Sequence, residues 1–164
     1  MKTITILFFT SMLVACTTTL IHSPTVEIKN NVTSKLLVGS WSCRSTSDIQ
    51  GKDFNFENKI NFSEDGSFIG SGKFEEKIGK FEDPMAFTVN AEGTWELVNG
   101  VLNEMTNKLD MTPSNEQSNF FVYAIKRKMP KTLNSTYKVT MSDDNTLIMY
   151  TRDNHSMNKC SREL

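Results

Sequence analysis

Three cysteines, two histidines and a scatter of carboxylates are the side chains of this 164-residue chain that could do chemistry. His22 and His155 lie far apart in sequence, and neither has a metal-ligand partner at useful spacing. His155 falls in Asp153-Asn154-His155-Ser156, which reads as a solvated turn; a weak surface metal site with Asp153 is the sharper alternative. The carboxylate pairs Glu75-Glu76 and Asp143-Asp144 are expected in loops or turns. Adjacent residues on a strand would point to opposite faces, so these pairs make poor acid–base dyads. There is no Gly-x-Ser-x-Gly, P-loop or dinucleotide fingerprint. No cofactor and no metal are expected, and the reading is non-enzymatic. The cysteines are Cys16, Cys43 and Cys160. Disulfides consume them in pairs, so one needs another role.

Cys16 ends the first apolar run. Lys2 supplies a minimal positive start, and Ile4 to Ala15 is almost wholly apolar. A bilayer-spanning helix needs roughly 20 residues, so this run is too short to cross. It has the character of an export signal. Its last four residues, Leu13-Val14-Ala15-Cys16, resemble the bacterial lipobox. The resemblance implies cleavage before Cys16, a diacylglycerol on its thiol and an acyl group on the new amine. Two or three acyl chains hold a protein stably where one does not. Thr17 follows rather than Asp, which by the family's sorting rule implies the outer membrane. A buried cysteine in an ordinary signal or core helix is the competing reading. With Cys16 lipidated, Cys43 and Cys160 remain for the exported domain, and the oxidising periplasm suits a disulfide between them. No cysteine is then spare as a nucleophile.

The expected organisation is a signal over 1–15, a flexible tether over 16–35 and one domain over 36–164. The tether expectation rests on a stretch rich in Thr, Ser, Asn and Lys with little apolar periodicity. Asn31-Val32-Thr33 and Asn134-Ser135-Thr136 match the N-glycosylation pattern, which carries no weight in a bacterial lipoprotein. The chain has 18 Lys+Arg against 19 Asp+Glu, and loss of Lys2 leaves 17 against 19. A nearly neutral domain has no electrostatic reason to bind nucleic acid. The basic cluster Lys126-Arg127-Lys128 reads as a solvated element end; a weak contact with anionic lipid or glycan phosphate is the sharper reading.

From Leu36 onward the pattern is all-β. Ile60 and Phe62 alternate before Glu64-Asp65-Gly66, and Phe68, Gly70, Gly72 and Phe74 follow. Phe87, Val89, Trp95 and Leu97 lead into Asn99-Gly100, a strong hairpin signal, with Val101 to Met111 returning. Tyr137, Val139 and Met141 precede Asp143-Asp144-Asn145, and Leu147, Met149 and Thr151 return. Phe120 to Lys128 is expected as a further strand, with a short helix as the alternative. Pro84, Pro113 and Pro130 are expected in loops. An up-and-down antiparallel β-barrel of about eight strands fits this pattern, because closure removes exposed sheet edges.

Gly39-Ser40-Trp41 resembles the Gly-x-Trp that opens the first strand of lipocalins, and Gly93-Thr94-Trp95 repeats the tripeptide. Residues 60–68 and 145–154 are also similar to bacterial lipocalin-like domains. No clear Thr-Asp-Tyr motif is present, and no N-terminal helix is expected. In lipocalins the first-strand Trp packs beneath an Arg from the last strand, which the resemblance carries onto Trp41 and Arg162. If the first and last strands pair antiparallel with Cys43 opposite Cys160, Trp41 falls opposite Arg162 on the same face. Gly39, Trp41, Arg162 and the disulfide would then close one seam by covalent and cation–π contacts. Alternatively, Cys160 merely pins a loose C-terminal tail to the first strand.

Eleven Phe and nine Met, four of them in the signal, form either a filled core or a cavity for an acyl chain or other small apolar molecule. Two functions follow. One is an outer-membrane, periplasm-facing lipoprotein whose barrel binds a small apolar or lipid ligand. The other is a solid scaffold whose segments around Glu75–Pro84 and Thr112–Ser118 bind an envelope protein or a lysozyme-like enzyme.

Overall fold

Three tight turns set the register of the sheet. Asn99 and Gly100 both take positive φ, 52° and 76°, as a two-residue hairpin turn requires. Gly66, at φ 80°, turns the chain after Asp65, whose carboxylate accepts hydrogen bonds from the backbone and hydroxyl of Ser67. Asp143 acts likewise in the third turn, accepting from the Asn145 amide at 2.8 Å.

The computed structural model describes residues 32–49, 52–77, 84–151 and 156–163. Its element order is α1 (Ser34–Leu37), β1 (Gly39–Ile49), β2 (Lys52–Phe62), β3 (Ser67–Glu76), β4 (Met85–Val98) and β5 (Val101–Pro113). There follow α2 (Glu116–Lys128), β6 (Leu133–Asp143), β7 (Thr146–Thr151) and β8 (Ser156–Arg162). Each strand pairs antiparallel with the next, and β1 pairs with β8, so eight strands close an up-and-down barrel. The expected fold class is the observed one. Cys16, His22, His155 and the expected signal lie outside the described residues.

Over most of the described strand residues, side chains alternate between interior and solvent, β4 opening instead with three buried residues, Met85, Ala86 and Phe87. The interior holds two apolar clusters. The larger sits at the closed end, around Leu37, Trp41, Phe62, Trp95, Leu102, Met141 and Leu147. The smaller sits at the opposite mouth, where Met85, Phe87 and Met111 meet Val122 of α2. A β-bulge at Glu92/Gly93 leaves Asn107 of β5 without an opposite residue and bends the wall between them. Only glycine fits at position 93, where a Cβ would strike the Met105 carbonyl and the Phe68 ring.

Several expectations are corrected. Phe120–Lys128 is helix, not strand. Asn115 caps it by accepting from the Ser118 amide at 2.9 Å, and Glu116 stands in the first turn. Lys126, Arg127 and Lys128 complement the negative C-terminal end, and Pro130 lies just beyond it. Its packed residues Phe121, Val122, Ile125 and Met129 recur with helical period. A short helix also precedes β1, where none was expected. Val32 is buried in the closed-end cluster, so the packed domain begins within the stretch expected to be tether. Glu75 and Glu76 lie in β3, opposite Ala86 and Met85, rather than in a loop. Pro113 is the last residue of β5, while Pro84 and Pro130 lie outside the strands.

Candidate functional site

The seam between β1 and β8 has the register the cysteine spacing predicts. Cys43 pairs with Cys160 and Trp41 with Arg162. The Cys43–Cys160 disulfide is formed, with an S–S distance of 2.04 Å. The Arg162 guanidinium lies 4.2 Å from the Trp41 ring centroid. It also donates to three carbonyls, those of Val38 at 2.9 Å, Leu36 at 2.5 Å and Asp144 at 3.3 Å. Trp41 is fully buried, and its Nε1 donates to the Leu37 carbonyl at 2.8 Å. Gly39 is required beside them: its φ is 127°, and a Cβ there would strike Arg162 Nη1. One arginine thus ties α1, β1 and the β6–β7 turn together and seals this end.

The mouth is closed differently. Strand β4 begins against the start of α2, where Ser118 is fully buried. The Ser118 hydroxyl accepts from the Ala86 amide at 2.8 Å and donates to Asn115 Oδ1 at 2.6 Å. Asn115 Nδ2 donates to the Pro84 carbonyl at 2.7 Å. The apolar face of α2 then rests on Phe87 and Met111, and the ring of Phe74 stacks on Phe87 with centroids 4.8 Å apart. These bonds lie within the segment around Thr112–Ser118 that the scaffold reading expects to contact a partner.

Between the two apolar clusters lies a cavity of about 160 Å³. Small residues make room for it: Gly70 and Gly72 of β3 and Ala91 of β4. Phe56, Ile60, Phe68 and Val89 give it apolar walls. Polar side chains also face it, namely Asn58 from β2, Glu104 and Thr106 from β5, and Ser135 and Tyr137 from β6. Glu104 sits between Trp95 and Ser135 in the sheet and is the interior's conspicuous exception. Its Oε1 is buried with no hydrogen-bond partner in the protein, and so is Asn58 Oδ1. Burial without a compensating donor penalises the charged carboxylate and pushes its pKa up to about 7. The phenol of Tyr137 is also pushed up, first by burial and then by the charge of Glu104, while a hydrogen bond with Ser135 opposes the shift.

Orphaned buried acceptors are costly, about 1–3 kcal/mol each and more when charged. This layer carries two of them, beside glycines that leave space. Sequence reasoning missed every polar member of it. The available signal was strand parity: Leu102 is interior, so Glu104 and Thr106, two and four residues on, face inward too. Ser135 and Tyr137 share the parity of Val139 and Met141 in the same way. Of the residues expected to matter, Gly39, Trp41, Cys43, Cys160 and Arg162 gather at the seam, away from this layer.

No protein-family model and no curated protein matches the chain. Among solved structures, the crystal structure of Rv2717c from M. tuberculosis is similar over 79% of this chain and 94% of that one, at 11% identity and a TM-score of 0.32. A likeness at that level carries no weight here; the barrel rests on this chain's own strand pairing.

Proposed function

We propose that this protein is a non-catalytic, outer-membrane-anchored lipoprotein facing the periplasm, whose lipocalin-like barrel binds a small, largely apolar molecule. The observation that carries the reading is the interior cavity of about 160 Å³ with two unpartnered acceptors on its wall. Cavities near 150 Å³ take one benzene-sized guest. Drug-sized ligands need roughly 300 Å³ or more. A compact molecule therefore fits better than a full acyl chain. Leu13-Val14-Ala15-Cys16 supports the anchor.

Native mass spectrometry of the protein released gently from its own envelope tests the ligand, and labelling with a clickable palmitate tests the anchor. The expected results are a small adduct on the folded protein and label lost in Cys16→Ser. A bare apo mass, with no small molecule in the extract, contradicts the binding reading.

A second reading, a protein-binding lipoprotein, draws support from the outer face of α2. Phe120 and Tyr123 there are 81% and 62% exposed, beside Lys126–Lys128. Pull-down from envelope extract, with Phe120→Ser as control, separates it from the first.

A further inference from the structure

The chemistry of the cavity wall narrows the ligand class, given the reading of the barrel as a small-molecule binder. Both orphaned atoms, Glu104 Oε1 and Asn58 Oδ1, are acceptors, and they project from strands on different sides of the interior. No donor of the protein, the nearby Tyr137 hydroxyl included, makes a hydrogen bond to either. Among the described residues lining the cavity there is no Lys, Arg or His to neutralise Glu104. The missing partner must therefore bring more than one donor, and ideally a positive charge. Phe56 and Phe68 present aromatic surface beside the same space, and a cation gains from ring faces as well as from a carboxylate.

We propose that the cavity takes a compact primary amine as its ammonium, paired with the Glu104 carboxylate and hydrogen-bonded to Asn58 Oδ1, its apolar body lying against Phe56 and Phe68. An ammonium supplies three donors on a point charge, enough for both acceptors at once. A carboxylate-bearing guest would face like-charge repulsion from Glu104. A neutral hydrocarbon would fill the space and leave both acceptors bare. Bringing an ion pair out of water is costly, but here one carboxylate oxygen, Glu104 Oε1, is already buried without a partner, so the guest relieves a penalty the fold carries.

The test is calorimetric titration of the intact protein at pH 8 with four probes of similar size: benzylamine, benzyl alcohol, toluene and benzoate. Benzylamine is expected to bind at least about tenfold tighter than toluene or benzyl alcohol, a difference of ~1.4 kcal/mol, and benzoate not to bind. Glu104→Gln should bring benzylamine down to the level of benzyl alcohol and leave toluene unchanged. Asn58→Ala, which keeps the charge, should weaken benzylamine by a smaller factor and serves if Glu104→Gln fails to fold. If toluene binds as well as benzylamine, or Glu104→Gln keeps the preference, the amine assignment is wrong while the binder reading stands. If no probe enters, both are wrong.

Discussion

The closed end of the barrel and its middle layer are built on opposite terms. Among the described residues at the closed end, the polar groups of the seam have partners. Arg162 gives three bonds to carbonyls and its cation to an indole, and Trp41 gives its one donor to Leu37. In the middle layer, glycines replace bulk, and a carboxyl and an amide face the cavity with acceptors that no protein group bonds. The first arrangement stabilises the fold; the second weakens it. The barrel's hydrogen bonds are complete at the Arg162 seam and incomplete in its centre. The disulfide and the arginine seal then supply stability that offsets the imperfect layer.

Breaking the closed end should have the largest effect. Replacing Cys43 and Cys160 together with Ala opens a cross-link spanning 117 residues, and the chain-entropy relation gives a loss of about 4.7 kcal/mol. Urea unfolding with and without reductant measures it; reductant should affect the wild type and not the double variant. Trp41→Ala should cost about 3–5 kcal/mol in the same assay. Arg162→Met keeps apolar bulk over the indole but strands the carbonyls of Leu36 and Val38, for a loss of about 2–4 kcal/mol.

The middle layer should respond with the opposite sign. The folded state raises the Glu104 pKa from an ordinary 4.5 to about 7, so it holds the proton more tightly than the unfolded chain. Stability from this group is complete below pH 4.5 and is lost as pH rises through 7, by about 3 kcal/mol in all. Tyr137 is the other ionisable side chain lining the layer, and it stays neutral over that range; β2, β3 and β4 turn no ionisable group toward it. Glu104→Gln should therefore stabilise the protein at pH 8 by about 1–3 kcal/mol and flatten the pH dependence between 5 and 8, read by thermal melts across that range. The smallest effect belongs to Gly70→Ala. A Cβ there meets only Lys59 O and Ala91 Cβ at ordinary contact distances. The variant should gain about 0.5–1 kcal/mol and bind toluene more weakly, because its methyl occupies cavity space.

The barrel was legible in the sequence because its signals are local. Asn99-Gly100 and Asp65-Gly66 turn the chain where two-residue periodicity breaks, and Cys43 and Cys160 fix the seam's register with Trp41 and Arg162 following by parity. Helix α2 was misread because Phe120-Phe121-Val122-Tyr123 has strong β propensity; its cap at Asn115 and its basic last turn carried the contrary signal. Helix α1 is too short to show a period, and it exists because its carbonyls serve Trp41 and Arg162. The cavity layer was not legible as a site. Its glycines resemble turn residues, and Glu104 resembles any outward strand carboxylate until Leu102 is known to be interior.

Glu104 places a carboxyl oxygen in the interior with no hydrogen-bond donor to meet it. Carbon-13 NMR of its carboxyl carbon, assigned by loss of the signal in Glu104→Gln, tests this most directly. The predicted midpoint is near pH 7 in the free protein, as burial without a partner requires, falling when benzylamine is added. A midpoint at the ordinary glutamate value of 4.5, unmoved by the amine, would contradict it.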